Sequence, residues 1–313
     1  MQFRFWLPAL FLVVLFSCSQ PAAYIYNQGY IYGTNYHIVY ESPNGVNFQQ
    51  EITEKLNEYN RIFSTFDSTS NISKINRNQP VELHPLFLHC YRRTMEISEM
   101  TGGAFDITAG PMVNAWGFGP EERRKMTPEI IDSLKKITGY RKVLLRDGRI
   151  EKENPNMKLD MSAIAKGFTC DLIGDFLAEK GCRNYMVEIG GEVVAKGKNE
   201  KGRTWTIGIS RPDESAFFGV SDIQAKVHLP DDALATSGNY RNFYVEDGKK
   251  FAHTIDPKTG YPVQHSLLSA TVLANNCMDA DAFATAFMVL GLEKSIEISK
   301  NIPDLKVYFI YAG

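Results

Sequence analysis

Apolar residues recur at regular spacing along most of the chain. Between Phe48 and Phe63 they fall at helical intervals, and the same spacing returns between Phe87 and Met100, so both stretches are predicted to be amphipathic helices. The stretch from Thr204 to Ser210 alternates apolar and polar residues, which predicts a half-buried strand. Further helices are predicted over 163–180 and after Thr127-Pro128, and further strands over 31–40, 185–195, 269–274 and 307–311.

The order of these elements predicts the fold class. Strands and helices mix without a strict alternation, and Asp147-Gly148 and Asp247-Gly248 mark hairpins over 143–150 and 243–251. No internal repeat is evident. We therefore expect an α+β protein with a mixed, largely antiparallel sheet packed with helices, rather than a doubly wound parallel sheet.

The amino terminus has the composition of an export signal. Arg4 precedes an apolar run from Phe5 to Phe16, which is too short to span a bilayer and has the length of a signal-peptide core. The run ends at Ser17-Cys18, which resembles a bacterial lipobox, in which the cysteine is lipidated; simple secretory cleavage is the alternative. We expect a signal peptide over 1–17, a tether over 18–29 and one domain over 30–313, held outside the cytoplasm by a lipid on Cys18, on the periplasmic side of a bacterial membrane.

Composition narrows the classes of partner. With 34 Lys and Arg against 36 Asp and Glu, the formal charge is −2, which gives no reason to expect nucleic acid as a partner. The apolar share of 44% and the charged share of 22% are those of an ordinary globular protein. Four cysteines follow Cys18 and none forms a CxxC pair, so zinc binding is not expected and buried free thiols are. A disulfide is permitted outside the cytoplasm.

Asp281 and Thr285 lie four residues apart in a segment of small apolar residues. In a helix this spacing puts the carboxylate and the hydroxyl on one face, one turn apart. An aspartate buried among alanines is costly unless a donor or cation pairs with it. Two hard oxygens suit Mg²⁺, which commonly shares its coordination with phosphate oxygens, so the segment points to phosphoryl or nucleotide chemistry. An aspartate that bonds a neighbouring backbone group is the alternative.

A glycine-rich segment over 102–111 surrounds Asp106 with small residues, which let a ligand approach the backbone closely. Phe105 and Trp116 are aromatic planes beside flexible turns and are candidates for stacking on a flat heterocycle. A glycine-rich connection with two core aromatics is the alternative.

Two further segments are candidates for ligand contact. Asp160 is placed to cap the following helix, whose amino terminus and the nearby Lys166 would attract phosphate, although the spacing is not that of a P-loop. A helix cap with a surface lysine is the alternative. The Gly190-Gly191 pair between Glu188 and Glu192 predicts a bulge or a close ligand within one strand.

His253 stands at the end of a predicted strand, just before the turn Asp256-Pro257-Lys258-Thr259-Gly260. Histidine titrates near neutral pH and can take a proton from a hydroxyl nucleophile. The other five histidines lack such a setting, and a structural histidine is the alternative.

Taken together, these segments resemble the ApbE family of flavin transferases. The resemblance runs from Gly33-Thr34 to the carboxyl terminus and rests on the segments 102–111, 160–167, 188–192, 253–260 and 279–285, in that order. Tyr32 departs from the pattern, since the family commonly has methionine before Gly-Thr. The resemblance implies a T-fold-like architecture.

The resemblance also implies a reaction, in which FAD is the substrate, Mg²⁺ the cofactor, and a threonine or serine hydroxyl of a target protein attacks the FMN phosphorus and releases AMP. It implies acceptors among the FMN-binding domains of membrane redox complexes. His253 would be the general base, and Asp279 would support the metal ligands without touching the metal. The implied metal ligands are Asp281, Thr285 and the carbonyl of Ala163, and the implied flavin contacts are Tyr32, Ala104, Phe105, Asp106, Asp160, Lys166 and Ile255.

Two rival functions use the same residues. One is a Mg²⁺-dependent pyrophosphatase that splits FAD to FMN and AMP with water. The other is a lipoprotein that binds FAD and transfers nothing. A scaffold without catalysis would leave Asp281, Thr285 and His253 without a purpose.

Overall fold

The computed structural model describes residues 23–119, 121–212, 222–239, 243–246 and 248–312. The predicted signal peptide and Cys18 lie outside these residues. The α-helices are α1 Gln49–Phe63, α2 Asn71–Asn76, α3 Pro85–Met100, α4 Gly110–Ala115, α5 Pro128–Lys136, α6 Ser162–Glu179, α7 Cys277–Leu290 and α8 Leu292–Ser299. The strands are β1 Ala23–Ile31, β2 Thr34–Ser42, β3 Val143–Arg146, β4 Arg149–Lys152, β5 Tyr185–Ile189, β6 Glu192–Lys196, β7 Trp205–Ser210, β8 Ile223–Leu229, β9 Ala233–Gly238, β10 Phe243–Glu246, β11 Lys249–Ala252, β12 Leu267–Ala274 and β13 Lys306–Tyr311.

Seven strands form one sheet in the order β1-β2-β5-β6-β9-β12-β13. Every neighbouring pair in it is antiparallel. The hairpins β3–β4, β7–β8 and β10–β11 form small sheets of their own. The predicted α+β class with a largely antiparallel sheet is therefore confirmed.

The two faces of the large sheet are covered differently. On one face, α6 and α7 lie side by side against β5, β9 and β12 and share a core with α1 and α3. Ile38, Val187 and Val272 from the strands and Phe283 from α7 are fully buried in that core. On the opposite face the β7–β8 hairpin packs Trp205 against apolar residues of β6 and β9. The sheet thus fixes the positions of α6 and α7 relative to each other, and these two helices carry part of the candidate site.

Several predicted elements have the expected bounds and ends. The helix predicted over 163–180 is α6, and it is followed by Gly181 at φ +85°. Gly102 and Gly103 follow α3 with φ of +58° and +86°, the left-handed ending that glycine favours. Thr127 caps α5 by accepting the Ile130 N–H. The four cysteines after Cys18 are buried free thiols, as predicted.

The tether predicted over 18–29 is wrong for residues 23–29, because these belong to β1. Ala23 pairs with Ser42 and Ile31 with Thr34, so β1 and β2 form a hairpin closed by Tyr32-Gly33. The strand predicted over 31–40 therefore begins at Thr34 and ends at Ser42. Asn27 and Gly29 interrupt the apolar alternation of β1, and its pairing with β2 overrides that weak local pattern.

The single strand predicted over 185–195 is instead a hairpin. Gly190 and Gly191 have φ of +66° and +103°, so they form a two-residue turn between β5 and β6 rather than a bulge. Glu188 closes this turn by accepting the Gly191 N–H at 2.7 Å. The turn places Glu192 at the start of β6, where it is buried. Within the described residues, no helix is both long and apolar enough to cross a membrane.

Candidate functional site

A cavity of about 1040 Å³ lies between the α6–α7 pair and the loops that follow α1, α3 and β11. The turn between β1 and β2 contributes to its wall. The residues predicted as catalytic base, metal ligands and flavin contacts all line this cavity, although they come from five separate segments. They are His253, Tyr32, Ala104, Phe105, Asp106, Asp160, Lys166, Ile255, Ala163, Asp281 and Thr285.

Helices α6 and α7 make an unusually close approach at one wall. A Cβ added to Gly167 would lie 2.2 Å from the carbonyl oxygen of Cys277 and 2.8 Å from the Asp281 Cβ, so only glycine fits there. The Gly167 N–H, whose regular helical acceptor is the Ala163 carbonyl, donates to Asp281 Oδ2 at 3.0 Å. The Ala163 carbonyl, the Asp281 carboxylate and the Thr285 hydroxyl are thereby brought to one wall.

This wall has a buried charge cluster. Lys166 Nζ lies 3.7 Å from Asp281 Oδ2 and 3.4 Å from Glu192 Oε1. We call Ala163, Lys166, Glu192, Asp281 and Thr285 the helix corner. Burial raises the pKa of Asp281, and it raises the pKa of Glu192 to about 8 against the opposing pull of Lys166. Burial lowers the pKa of Lys166, but the two carboxylates outweigh it and raise that pKa overall, so the ammonium stays charged.

The oxygen donors of the helix corner fit a hard cation. Besides Glu192, which pairs with Lys166, these residues offer the Asp281 carboxylate, the Thr285 hydroxyl and the backbone carbonyl of Ala163. Mg²⁺ characteristically takes few protein ligands and completes its coordination with water and phosphate. Among the described residues no group of three or more His, Cys, Asp or Glu side chains is arranged to hold a metal. A site for zinc built from several such side chains is therefore not found in the described part of the chain.

Asp279 faces away from this corner, and it does not line the cavity. Its carboxylate receives the Nε and Nη2 donors of Arg93 at 2.7 and 2.9 Å, a two-point contact that ties α7 to α3. Asn276 caps α7 by accepting the Asp279 N–H at 2.8 Å. Asp279 thus holds the helix that presents Asp281, as expected of a supporting residue.

His253 follows β11 and lines the same cavity as the helix corner. Its ring packs edge-on against Phe118, with 6.3 Å between the centroids. The next residue, Thr254, is buried and donates its hydroxyl hydrogen to Asn239 Oδ1. The turn over 256–260 is closed by a 2.8 Å bond from the Gly260 N–H to the Asp256 carbonyl. We call residues 253–257 the histidine rim.

The polar side chains among the predicted flavin contacts have different hydrogen-bond partners within the protein. Asp106 accepts hydrogen bonds from the backbone and hydroxyl of Thr108 and from the Tyr140 N–H, so its carboxylate shapes the loop that it lies on. Burial raises the pKa of Asp106. Asp160 accepts the Ser162 N–H at 2.9 Å and caps the start of α6, as predicted. The Tyr32 hydroxyl lies 3.2 Å from Thr169 Oγ1.

Trp116 does not line the cavity, so the hypothesis that it stacks on a ligand fails. It is 5% exposed, stacks on Phe251 and donates its indole N–H to the Gly260 carbonyl at 2.8 Å. Trp116 is therefore a core residue that supports the turn after His253. Phe105, by contrast, is buried and lines the cavity.

Three cavity residues have positions that sequence reasoning did not assign. Glu192 is paired with Lys166, Ser237 lies 3.4 Å from Thr285 through their hydroxyl oxygens, and Phe66 is 81% exposed at the cavity. A local signal existed for Glu192, since a carboxylate that begins the apolar stretch Val193-Val194-Ala195 is unusual at a buried strand. Phe66 lies in Ser64-Thr65-Phe66-Asp67, which resembles an early segment of the ApbE family, and Ser237 carries no local signal.

Comparisons with known proteins match one family over most of the chain. A model of the ApbE family matches residues 32–309. The chain is 37% identical over 316 aligned residues to the FAD:protein FMN transferase of Vibrio cholerae serotype O1, with 97% of this chain and 93% of the relative covered. It is 38% identical over 311 residues to the FAD:protein FMN transferase of Haemophilus influenzae, with 95% and 89% covered.

Solved structures give the same result. The flavin transferase ApbE from Vibrio cholerae superposes with a TM-score of 0.83 at 36% identity, over 93% of this chain and 94% of that one. The apo form of the Pseudomonas stutzeri flavinyl transferase ApbE superposes with a TM-score of 0.82 at 29% identity, over 93% and 92%. Both the fold and the extent of the domain are therefore shared.

Proposed function

The chain belongs to the ApbE family and is a transferase, and we propose that it transfers the FMN moiety of FAD to a threonine or serine hydroxyl of a target flavoprotein, with release of AMP. One observation carries this proposal: the helix corner, the predicted flavin contacts and His253 all line a single cavity of about 1040 Å³. A volume of this size matches the upper range of ligand pockets, as a dinucleotide requires. The relatives in Vibrio cholerae and Haemophilus influenzae are named FAD:protein FMN transferases, which supports the same reaction for this chain.

The helix corner is the part that would hold Mg²⁺. Asp281, Thr285 and the Ala163 carbonyl are its ligands in this proposal, and Lys166 adds a second positive charge beside them. When bound, the metal neutralises the pyrophosphate and polarises the phosphorus that is attacked. Lys166 binds phosphate oxygens as a point charge, and its raised pKa keeps it charged throughout the neutral range.

The histidine rim supplies the base. An imidazole nitrogen of His253 accepts the proton of the acceptor hydroxyl while the hydroxyl oxygen forms a bond to the FMN phosphorus. The bond from that phosphorus to the bridging pyrophosphate oxygen breaks, and its electron pair leaves with AMP. The product is a phosphoester between FMN and the acceptor, and the proton remains on His253 until solvent removes it.

The test is transfer to a purified FMN-binding acceptor domain. The full-length chain is incubated with FAD, Mg²⁺ and the acceptor, and the acceptor is weighed by intact mass spectrometry. We expect a gain of about 438 Da, the mass of one FMN phosphoryl group by composition, that is lost when EDTA replaces Mg²⁺. AMP that accumulates beside an unmodified acceptor would show a pyrophosphatase instead. Bound, intact FAD without AMP would show a flavin carrier.

The acceptor and the location complete the proposal. FMN-binding domains of membrane redox complexes, exposed outside the cytoplasm, are the acceptors, and a lipid on Cys18 keeps the enzyme at that membrane surface. The signal-like run from Phe5 to Phe16 supports this location. Replacing Cys18 by serine should release the protein from the membrane fraction; a variant that remains membrane-bound would refute the lipid anchor.

A further inference from the structure

Glu192 is a buried carboxylate, and only one of its two oxygens has a partner among the described residues. Its side chain is 7% exposed and lines the cavity. Oε1 lies 3.4 Å from Lys166 Nζ, whereas Oε2 has no hydrogen-bond partner among the described residues. An unsatisfied carboxylate oxygen in a buried place costs stability, so a purely structural role would favour an uncharged residue here.

Lys166 has three acceptors within reach, and they come from three elements. Besides Glu192 on β6, its ammonium lies 3.7 Å from Asp281 Oδ2 on α7 and donates to the Ser162 carbonyl on α6 at 3.2 Å. The two carboxylates therefore share one ammonium. Asp281 is also the carboxylate that the proposed function assigns to Mg²⁺, so Lys166 and the metal would compete for the same carboxylate.

We infer that Glu192 is a positioning residue that draws the Lys166 ammonium toward itself and thereby leaves Asp281 able to bind a divalent cation. This inference rests on the metal site of the proposed function. When a cation takes Asp281, Lys166 keeps Glu192 as its partner and stays at the cavity wall, where phosphate oxygens arrive. Without Glu192, Asp281 would be the only carboxylate beside Lys166, and the ammonium would occupy it.

Mn²⁺ binding to the full-length chain without FAD tests this role, because it does not depend on turnover. Free Mn²⁺ is followed by electron paramagnetic resonance at constant pH. Glu192→Gln, which keeps the size of the side chain, should weaken Mn²⁺ binding by about tenfold or more, as loss of a close partner charge predicts. Glu192→Asp should restore part of the affinity. Glu188→Gln is the matched control, since Glu188 lies on the same hairpin outside the cavity, and its change should stay within about twofold.

A second set of variants shows whether Glu192 acts through Lys166. In a Lys166→Met background no ammonium competes for Asp281, so adding Glu192→Gln should change Mn²⁺ affinity by less than about threefold. An equal loss in both backgrounds would mean that Glu192 attracts the cation directly, and would overturn the inference.

Other outcomes are equally decisive. Unchanged Mn²⁺ affinity in Glu192→Gln would also overturn the inference, and this comparison needs no Lys166 variant to fold. A native chain that binds no Mn²⁺ would refute the metal site itself, and the role of Glu192 with it. A native chain that binds Mn²⁺ but transfers no FMN would refute the proposed function while the role of Glu192 stands. Thermal unfolding of each variant checks that the fold is intact.

Discussion

The helix corner and the histidine rim face the same cavity but are built in different ways. The corner is formed where two long helices touch with no space for a Cβ at Gly167, and its charges are paired in a buried cluster. The rim is a loop after a short hairpin, held by the Thr254 hydroxyl and by the turn over 256–260. Backbone packing therefore sets the position of Asp281, whereas side-chain contacts set that of His253. We expect substitutions in the corner to affect both stability and metal binding, and substitution of His253 in the rim to affect chiefly catalysis.

The largest effect is expected for Asp281→Asn. Loss of the carboxylate removes the charged metal ligand, so Mg²⁺-dependent transfer should fall by about a thousandfold or more. Transfer from FAD to the acceptor measures this. Asp175→Asn is the matched control, because Asp175 is exposed on α6 and does not line the cavity. Equal activity in the Asp281 variant and the control would break the assignment of the corner to the metal.

His253→Ala should reduce transfer by about a hundred- to a thousandfold, the usual range for removing a general base. FAD affinity, measured by fluorescence quenching, should change little, because all the predicted flavin contacts except Ile255 come from other segments. His37→Ala is the control, since His37 pairs with Glu188 on an exposed part of the sheet. A His253 variant that fails to bind FAD but still transfers at saturating FAD would show a binding residue rather than a base.

Gly167→Ala should destabilise the fold by about 3 kcal/mol, because the added methyl group would meet the Cys277 carbonyl and force α6 and α7 apart. Urea denaturation measures the change. Gly174→Ala on the same helix should cost clearly less, since the nearest atom to its methyl group belongs to the Tyr185 ring at 3.1 Å. Similar losses in both variants would contradict the close helix contact as the basis of the corner.

A dependence of stability on pH is also expected. Asp171 on α6 accepts the N–H groups of Cys277 and Met278 at 2.8 Å each, and burial outweighs these bonds and raises its pKa from 3.8 to about 7. A pKa raised on folding means that the unfolded chain loses this proton first, so stability is greatest below pH 3.8 for this group and declines between there and about pH 7. Asp171→Asn should flatten this decline in urea denaturation; Asp175→Asn, exposed on the same helix, should not. An unchanged slope in Asp171→Asn would exclude Asp171 as its source.

The same contrast explains what the sequence could predict. Asp281 and Thr285 belong to one helix, so their shared face followed from spacing alone. The pairing of Lys166 with Glu192 joins a helix to a strand, and the direction of Glu192 depends on a two-glycine turn that resembled a bulge in sequence. Local pattern cannot specify such contacts, because tertiary pairing decides them.

Among the other elements too, those set by local sequence were predicted and those set by long-range pairing were not. The helices α1 and α3 have apolar residues at helical intervals and were predicted nearly to their ends. The bounds predicted for α6 differ from the observed ones by one residue at each end, and α5 was predicted only at its start, from Thr127-Pro128. The strand β1 was missed because its own residues alternate poorly and its order comes from β2. Trp116 was ambiguous for a similar reason, since only the packing of Phe251 against it shows which surface it faces.

The early start of β1 would limit how far a lipid-anchored enzyme can extend from the membrane. Only residues 19–22 separate Cys18 from Ala23, so a lipid on Cys18 would give the domain a leash of at most about 18 Å, at about 3.6 Å per residue. From Ala23 the strand runs roughly 27 Å, at about 3.4 Å per residue, to Ile31, which lines the cavity. If Cys18 carries a lipid, Ile31 at the cavity therefore lies no more than about 45 Å from the anchored cysteine, and an acceptor would have to present its hydroxyl near that depth.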